Sequence, residues 1–360
     1  MQQRDRVNSF MTYFFMNRKT KFILAYNTLC RAWASMITTE WILVLDQVIL
    51  HTHPSLMMRA VHTIIGVLLI VVPTVHAQQG RIATIITADA TLNKLGGGMK
   101  FTEGPVWIPE KQALIFSDIP NSMLMRWSAR DGLKPFRKSA QANGNMLDLQ
   151  GRLMSCQHAG RNLIRTESDG TLTVLADKFD GKKFNSPNDL AIKSDGSIWF
   201  TDPSYGLRGK PGEIPGKWVF RLDGTSNKVT VVYKGFDMPN GIAFSPDEKR
   251  LYIADTGKHG IIRAFDVSGE TIVTKPAFEI PIRCDGMCID TRGNIYTTSK
   301  GGIHIFDKAG KKLGLIAIPE HPANVCFGGK DFDTLFITAR TSLYSIKTLM
   351  MGSLPPHTFP

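Results

Sequence analysis

Along most of the chain, apolar and polar positions alternate over short stretches. Gly, Pro, Asp and Asn break the stretches at close intervals. Such a pattern predicts strands joined by tight turns. One unit recurs: an apolar strand, a polar turn, then a second strand ending in a small or acidic residue. Its copies are Val106–Asp118, Leu147–Cys156, Leu190–Asp202, Ile242–Asp255, Met287–Ser299 and Val325–Ala339. Anchored on Ser117, Ser155, Thr201, Ala254, Thr298 and Thr338, they are spaced by 38, 46, 53, 44 and 40 residues. That is about 44 residues on average, the length of a four-stranded propeller blade. Each copy reads as a hairpin turned by Gly, Asp or Pro. Further strands follow, such as Trp218–Arg221 and Ile303–Phe306, and no long amphipathic helix intervenes. The expectation is an all-β chain folded as a six-bladed β-propeller. Arg81–Ile86 is expected to pair with Leu343–Ile346 and cover the open edges. A pair of β-sandwiches is the alternative, and six copies at blade spacing weigh against it.

The N-terminal part does not share this pattern. Arg59, the apolar run Ile64–Val72 and Val75-His76-Ala77 read as the three regions of a secretory signal peptide, residues 57–77. The run is short for a membrane span. The expected domains are an extension over 1–56, the signal over 57–77 and the propeller over 78–360. Met57 or Met58 is the expected start, with 1–56 an over-extended reading frame. Export to the periplasm or outside the cell follows, with no stable membrane span after cleavage.

The formal charge is +12, from 43 basic and 31 acidic residues. Nucleic acid is the first partner such a charge suggests. The basic residues form no tract, however, and this partner is not expected. Cys156, Cys284, Cys288 and Cys326 read as buried inert thiols. Four residues of strand span about 13 Å, which keeps Cys284 and Cys288 unbridged.

The start of each first strand carries chemistry. The residues four before the last apolar position are Glu103, Asn145, Asn188, Asn240, Asp285 and Ala323. If these strands are innermost, the six positions ring one mouth of the central channel. Five of them carry side-chain oxygen. Such a set suits one hard divalent cation. Calcium fits best; magnesium and zinc are the alternatives, zinc suiting the donors less well. The residues after each second strand return to the same mouth: Asp118, His158 with Arg161, Asp202 with Tyr205, Asp255, Lys300 and Arg340. They are candidates for substrate contacts or for orienting the ligands, with His158 and Arg161 foremost.

Phe101-Thr-Glu-Gly-Pro-Val-Trp107, Ser186-Pro-Asn-Asp-Leu190, Phe200-Thr-Asp-Pro-Ser-Tyr-Gly206, Pro239-Asn-Gly-Ile-Ala-Phe244 and Cys326-Phe-Gly-Gly329 resemble the gluconolactonase/regucalcin family. The resemblance runs from about Phe101 to Ile346. It implies a six-bladed propeller with one divalent metal in its channel, and hydrolysis of sugar lactones. It places the metal on Glu103, Asn188, Asn240 and Asp285, with Asp285 also the general base. Regucalcin-like members carry a substrate-contacting Arg two residues before the Asn188 position, where this chain has Ser186. Asn145, His158, Arg161 and Ser186 are the expected substrate residues. The expected activity is metal-dependent hydrolysis of a sugar lactone, the metal acting as Lewis acid. A phosphotriesterase-like hydrolase and a non-catalytic calcium- or sugar-binding propeller are the alternatives. Neither the lactone nor the oligomeric state follows from the sequence.

Overall fold

The structure, a computed structural model, describes residues 81–353. The extension and the signal segment lie outside the described residues. Six antiparallel sheets make the blades. Their first strands are Thr102–Ile108, Ala142–Leu147, Leu190–Ile192, Pro239–Phe244, Met287–Ile289 and Pro322–Gly328. Each is the edge strand of its sheet, and the later strands of the unit follow outward in chain order. Blade four adds Thr271–Ile272 and Phe278–Ile280, both paired with Ile261–Ser268. The first strands pack on one another around a common axis.

Alternation within each strand sends side chains to the two neighbouring blades in turn. The core is therefore divided into six clusters, one per blade interface. Val106, Ile115 and Leu124 pack on Ala142 and Leu153 between blades one and two. Trp107, Leu114 and Phe116 face the other way onto Phe336 and Leu343 of blade six. There Trp107 and Phe336 stack with centroids 5.2 Å apart. Hydroxyls at the anchor positions staple the blades: Ser117, Thr201 and Thr298 donate to the backbone carbonyls of Asn143, Asn240 and Ala323 in the next blade.

The ring closes differently from expectation. The strand paired with Ser342–Lys347 is Asn93–Gly96. Residues 81–86 form a helical turn instead, with Ile85 N–H donating to the Ile82 carbonyl. Ile82, Ile85 and Ile86 fall at helical spacing and pack on the cluster between blades five and six. All four described cysteines are free, as expected; Cys156 and Cys284 are buried, while Cys288 and Cys326 keep partial exposure. Among the described residues no helix is long and apolar enough to cross a membrane.

Candidate active site at the channel mouth

Where the first strands begin, their ladders slip. Bulges fall between Glu103 and Val106, Ala142 and Asn145, Pro239 and Ile242, and Pro322 and Asn324. A bulge re-aims a side chain, and here it turns the ring residues toward the axis. The strands approach so closely that a Cβ on Gly104 would stand 2.0 Å from the Asn143 carbonyl. One on Gly241 would stand 2.4 Å from the Asp285 carbonyl. A glycine therefore follows the ring residue in four blades, as Glu103-Gly104, Asn143-Gly144, Asn240-Gly241 and Asp285-Gly286.

This register corrects one member of the ring. The blade-two equivalent is Asn143, because Ser117 reaches its carbonyl as Thr201 reaches that of Asn240. Asn145 lies two residues on and is fully engaged. Its Nδ2 donates to the Gly104 and Asn143 carbonyls and to Ser117, and its Oδ1 accepts from Ser155 at 2.6 Å. It ties blade one to blade two and has nothing left for a substrate.

Blades three and six break the glycine rule with Asp189 and Asn324. Their side chains enter the axis at the level of the ring, and both were missed in the sequence. Asn324 Nδ2 donates to Glu103 Oε2 at 2.9 Å and to Asp189 Oδ2 at 3.4 Å. Its Oδ1 accepts its neighbour's backbone N–H. Glu103, Asp189 and Asp285 thus form one acidic group. Burial raises Glu103 well above the usual carboxylate range, and the charges of Asp285 and Asp189 push it further. Burial pushes Asp189 up to about 6. Asp285, half-buried at the floor of the cup, is pushed up to about 7 by desolvation, with a further push from Asp189. No Lys or Arg pairs with any of the three among the described residues.

His158 is buried beside the ring. Its Nε2 lies 3.1 Å from Asn143 Nδ2 and 3.4 Å from Asn188 Nδ2. Burial holds its pKa down at about 4, so the ring is neutral and Nε2 accepts. Both amides thereby turn their NH2 toward His158 and leave Oδ1 free. The neighbouring Asn240 amide draws the Asp285 pKa back down. Tyr205 reaches toward Asn240 from the rim, where its hydroxyl meets Thr256.

Arg161, Ser186 and the three rim aspartates are occupied. Arg161 donates to the Phe184 carbonyl at 2.5 Å and pairs with Glu213 at 3.1 Å, which fixes it away from the cup. The Ser186 hydroxyl donates to the Pro203 carbonyl and accepts from Gly206 N–H. Asp118, Asp202 and Asp255 each accept two backbone N–H groups just before their own blade's first strand. They are clamps that set the height of the ring. Beneath the ring an axial cavity of about 470 Å³ runs toward the far face, with Asp189 and Asn324 in its lining. Val106, Met146, Ala191, Ala243, Cys288 and Cys326 also line it.

Glu103, Asp189 and Asp285 stand together with no Lys or Arg among the described residues to balance them, a repulsion that protons or a cation would relieve. Among the described residues no group of three His, Cys, Asp or Glu stands in metal-holding geometry. The oxygen-bearing side chains at the mouth are of mixed kind: the carboxylates of Glu103 and Asp285 and the amides of Asn188 and Asn240. Hard cations accept such a set.

Residues 101–341 match a family profile described as SMP-30/gluconolactonase/LRE-like. The chain belongs to this family. It is 30% identical over 305 residues to a gluconolactonase of Zymomonas mobilis, covering 76% of this chain and 85% of that one. A solved gluconolactonase from Xanthomonas campestris superposes with a TM-score of 0.70 at 32% identity, over 74% of this chain and 92% of the other. A structure described as a calcium-binding protein, regucalcin, from Agrobacterium tumefaciens shares the fold at 18% identity. Its TM-score is 0.65, over 75% of this chain and 98% of that one. The family match spans all six ring positions, from Glu103 to Ala323.

Proposed function

We propose that this protein hydrolyses a sugar lactone at the acidic cup, with a divalent cation bound there. The carrying observation is the cluster of Glu103, Asp189 and Asp285, buried without a counter-charge in a chain of the gluconolactonase family. Enzymes that share the family and at least 30% of the sequence are lactone hydrolases by name. The calcium-binding fold relative favours calcium as the cation.

Glu103, Asn188, Asn240 and Asp285 would hold the cation, which supplies Lewis-acid stabilisation of the carbonyl oxygen when bound. The remaining work falls to side chains. Asp285 is open to the cup and takes a proton from the attacking water. The water oxygen bonds to the carbonyl carbon. The ring C–O bond breaks, and the departing oxygen takes up the proton, leaving a hydroxy acid. His158 turns the Asn188 amide so that its oxygen faces inward. Asn324 fixes Glu103 and separates it from Asp189. The strained ester demands little of its base once positioned.

The test is hydrolysis of glucono-1,5-lactone by metal-stripped protein, with and without added calcium, against a calcium-only blank. Calcium-restored turnover above the blank supports the reading. Folded, calcium-loaded protein without lactone turnover, yet active on a phosphotriester, replaces it with the alternative hydrolase. Calcium binding without turnover of either points to a binding protein.

A further inference from the structure

Two rows of positions at the mouth of the cup carry their charge unevenly. Beyond the second strand, the first residue in blades one to four is Ile119, His158, Pro203 or Thr256; in blades five and six it is Lys300 and Arg340. Two residues before the ring position, blades one to four carry Phe101, Gln141, Ser186 and Met238, all uncharged; blade five carries Arg283 and blade six His321. Two independent rows at the same mouth thus place their cations in the same third of the circle.

Two of these residues have contacts beside the ring. The Arg340 carbonyl accepts the N–H of Thr102, the residue before Glu103, at 2.8 Å. Arg283 lies two residues from Asp285, and its guanidinium donates to the Thr256 carbonyl, beside the Tyr205 hydroxyl. His321 is held below its usual range by burial and by the nearby Arg340 charge.

Arg283 braces the Thr256 carbonyl, and no carboxylate among the described residues balances any of the three arginine and lysine charges. Arg283, Lys300 and Arg340 are exposed and have no ion-pair partner among the described residues. Arg340 also sits at φ 47°, a left-handed conformation that glycine or asparagine adopts more readily. An exposed, unpaired guanidinium can form charge-assisted hydrogen bonds to an anionic ligand.

We propose that the lactone taken by this site carries an anionic group, a carboxylate, phosphate or sulfonate, on the carbons remote from its carbonyl, seated on Arg283, Lys300 and Arg340. The carbonyl end faces Asp285; the anion faces blades five and six. This rests on the lactonase reading and narrows its substrate class. It also explains how an anion tolerates a cup floored by carboxylates: attraction at the rim is nearer to it than the floor.

The experiment compares kcat/KM for 6-phosphoglucono-1,5-lactone and D-glucaro-1,4-lactone with that for neutral glucono-1,5-lactone, using calcium-loaded protein. The expected ratio of anionic to neutral is tenfold or more at low salt, shrinking at least threefold by about 0.3 M salt. In Lys300→Glu/Arg340→Glu the ratio is expected to fall at least tenfold, with Lys300→Gln/Arg340→Gln in between. Equal kcat/KM for charged and neutral lactones overturns the inference, and so does a loss that is the same for both in the variants. A site that turns over neutral lactone alone keeps the lactonase reading and rejects this one. If no lactone is turned over, calorimetric binding of 6-phosphogluconate against gluconate still decides. Tenfold tighter binding, lost in the charge-reversed variant, supports the arc; equal binding rejects it.

Discussion

Asp285 and His158 act through opposite responses to the same burial. Desolvation raises the carboxyl toward neutrality and lowers the imidazole out of the physiological range. This difference supports the proposed roles, Asp285 as the base and His158 as a neutral acceptor. Asp285→Ala is expected to fold and to lose at least about 100-fold in lactone turnover. Wild-type turnover in that variant rejects the proposed base. His158→Ala is expected to weaken calcium binding about 10–100-fold, because the Asn188 amide loses the acceptor that fixes its flip. An unchanged affinity, read by calorimetry, removes His158 from that role. Both residues were visible in the sequence as members of rows. Asp189 was not, since it stands beside Asn188 inside an ordinary turn-like pair. The signal that exposes it is an absence: blades three and six lack the glycine that the other four carry.

At the scale of the strand, the repeat was legible because apolar alternation and turn residues report the pleat directly. Its fine register was not. The blade-two strand ends in Leu147, and Leu149 beyond it continues the apolar pattern, so counting from Leu149 displaced the ring residue from Asn143 to Asn145. Only the inter-blade hydrogen bonds resolve the two. The closing strand was misplaced for a similar reason. Ile82, Ile85 and Ile86 look like a strand by composition, yet their spacing suits a helical turn, while Asn93–Gly96 is too polar to announce itself. The glycines carry a direct prediction. Gly104 combines φ 53° with a Cβ position 2.0 Å from a backbone oxygen. Gly104→Ala is expected to cost more than about 2 kcal/mol of stability, measured by denaturant unfolding. A smaller loss contradicts the described approach of blades one and two.

For the whole molecule, the acidic cup couples folding to protons and cations. Glu103, Asp189 and Asp285 titrate higher in the folded chain than their ordinary values. Without a cation these three groups therefore bind more protons in the folded chain than in the unfolded one between about pH 4 and 7, and His158, held down at about 4, offsets part of that difference. Stability is fullest below that window and declines as pH rises through it. Metal-stripped protein is expected to melt at a lower temperature at pH 8 than at pH 5, and calcium is expected to close most of the gap. A melting temperature that does not fall between those pH values in chelator contradicts the buried, unbalanced charge.

Closure of the ring has its own consequence. The Asn93–Gly96 strand and the Ser342–Lys347 strand lie side by side in one blade, so the beginning and end of the propeller meet. The circle has no privileged origin. Joining these ends with a short linker and cutting instead at the exposed Asp169-Gly170 turn preserves every blade interface. Such a circular permutant is expected to keep the native circular dichroism and the calcium response. Deleting residues up to 96 removes the clasp strand instead, leaving blade six an open edge through which a second molecule could exchange strands.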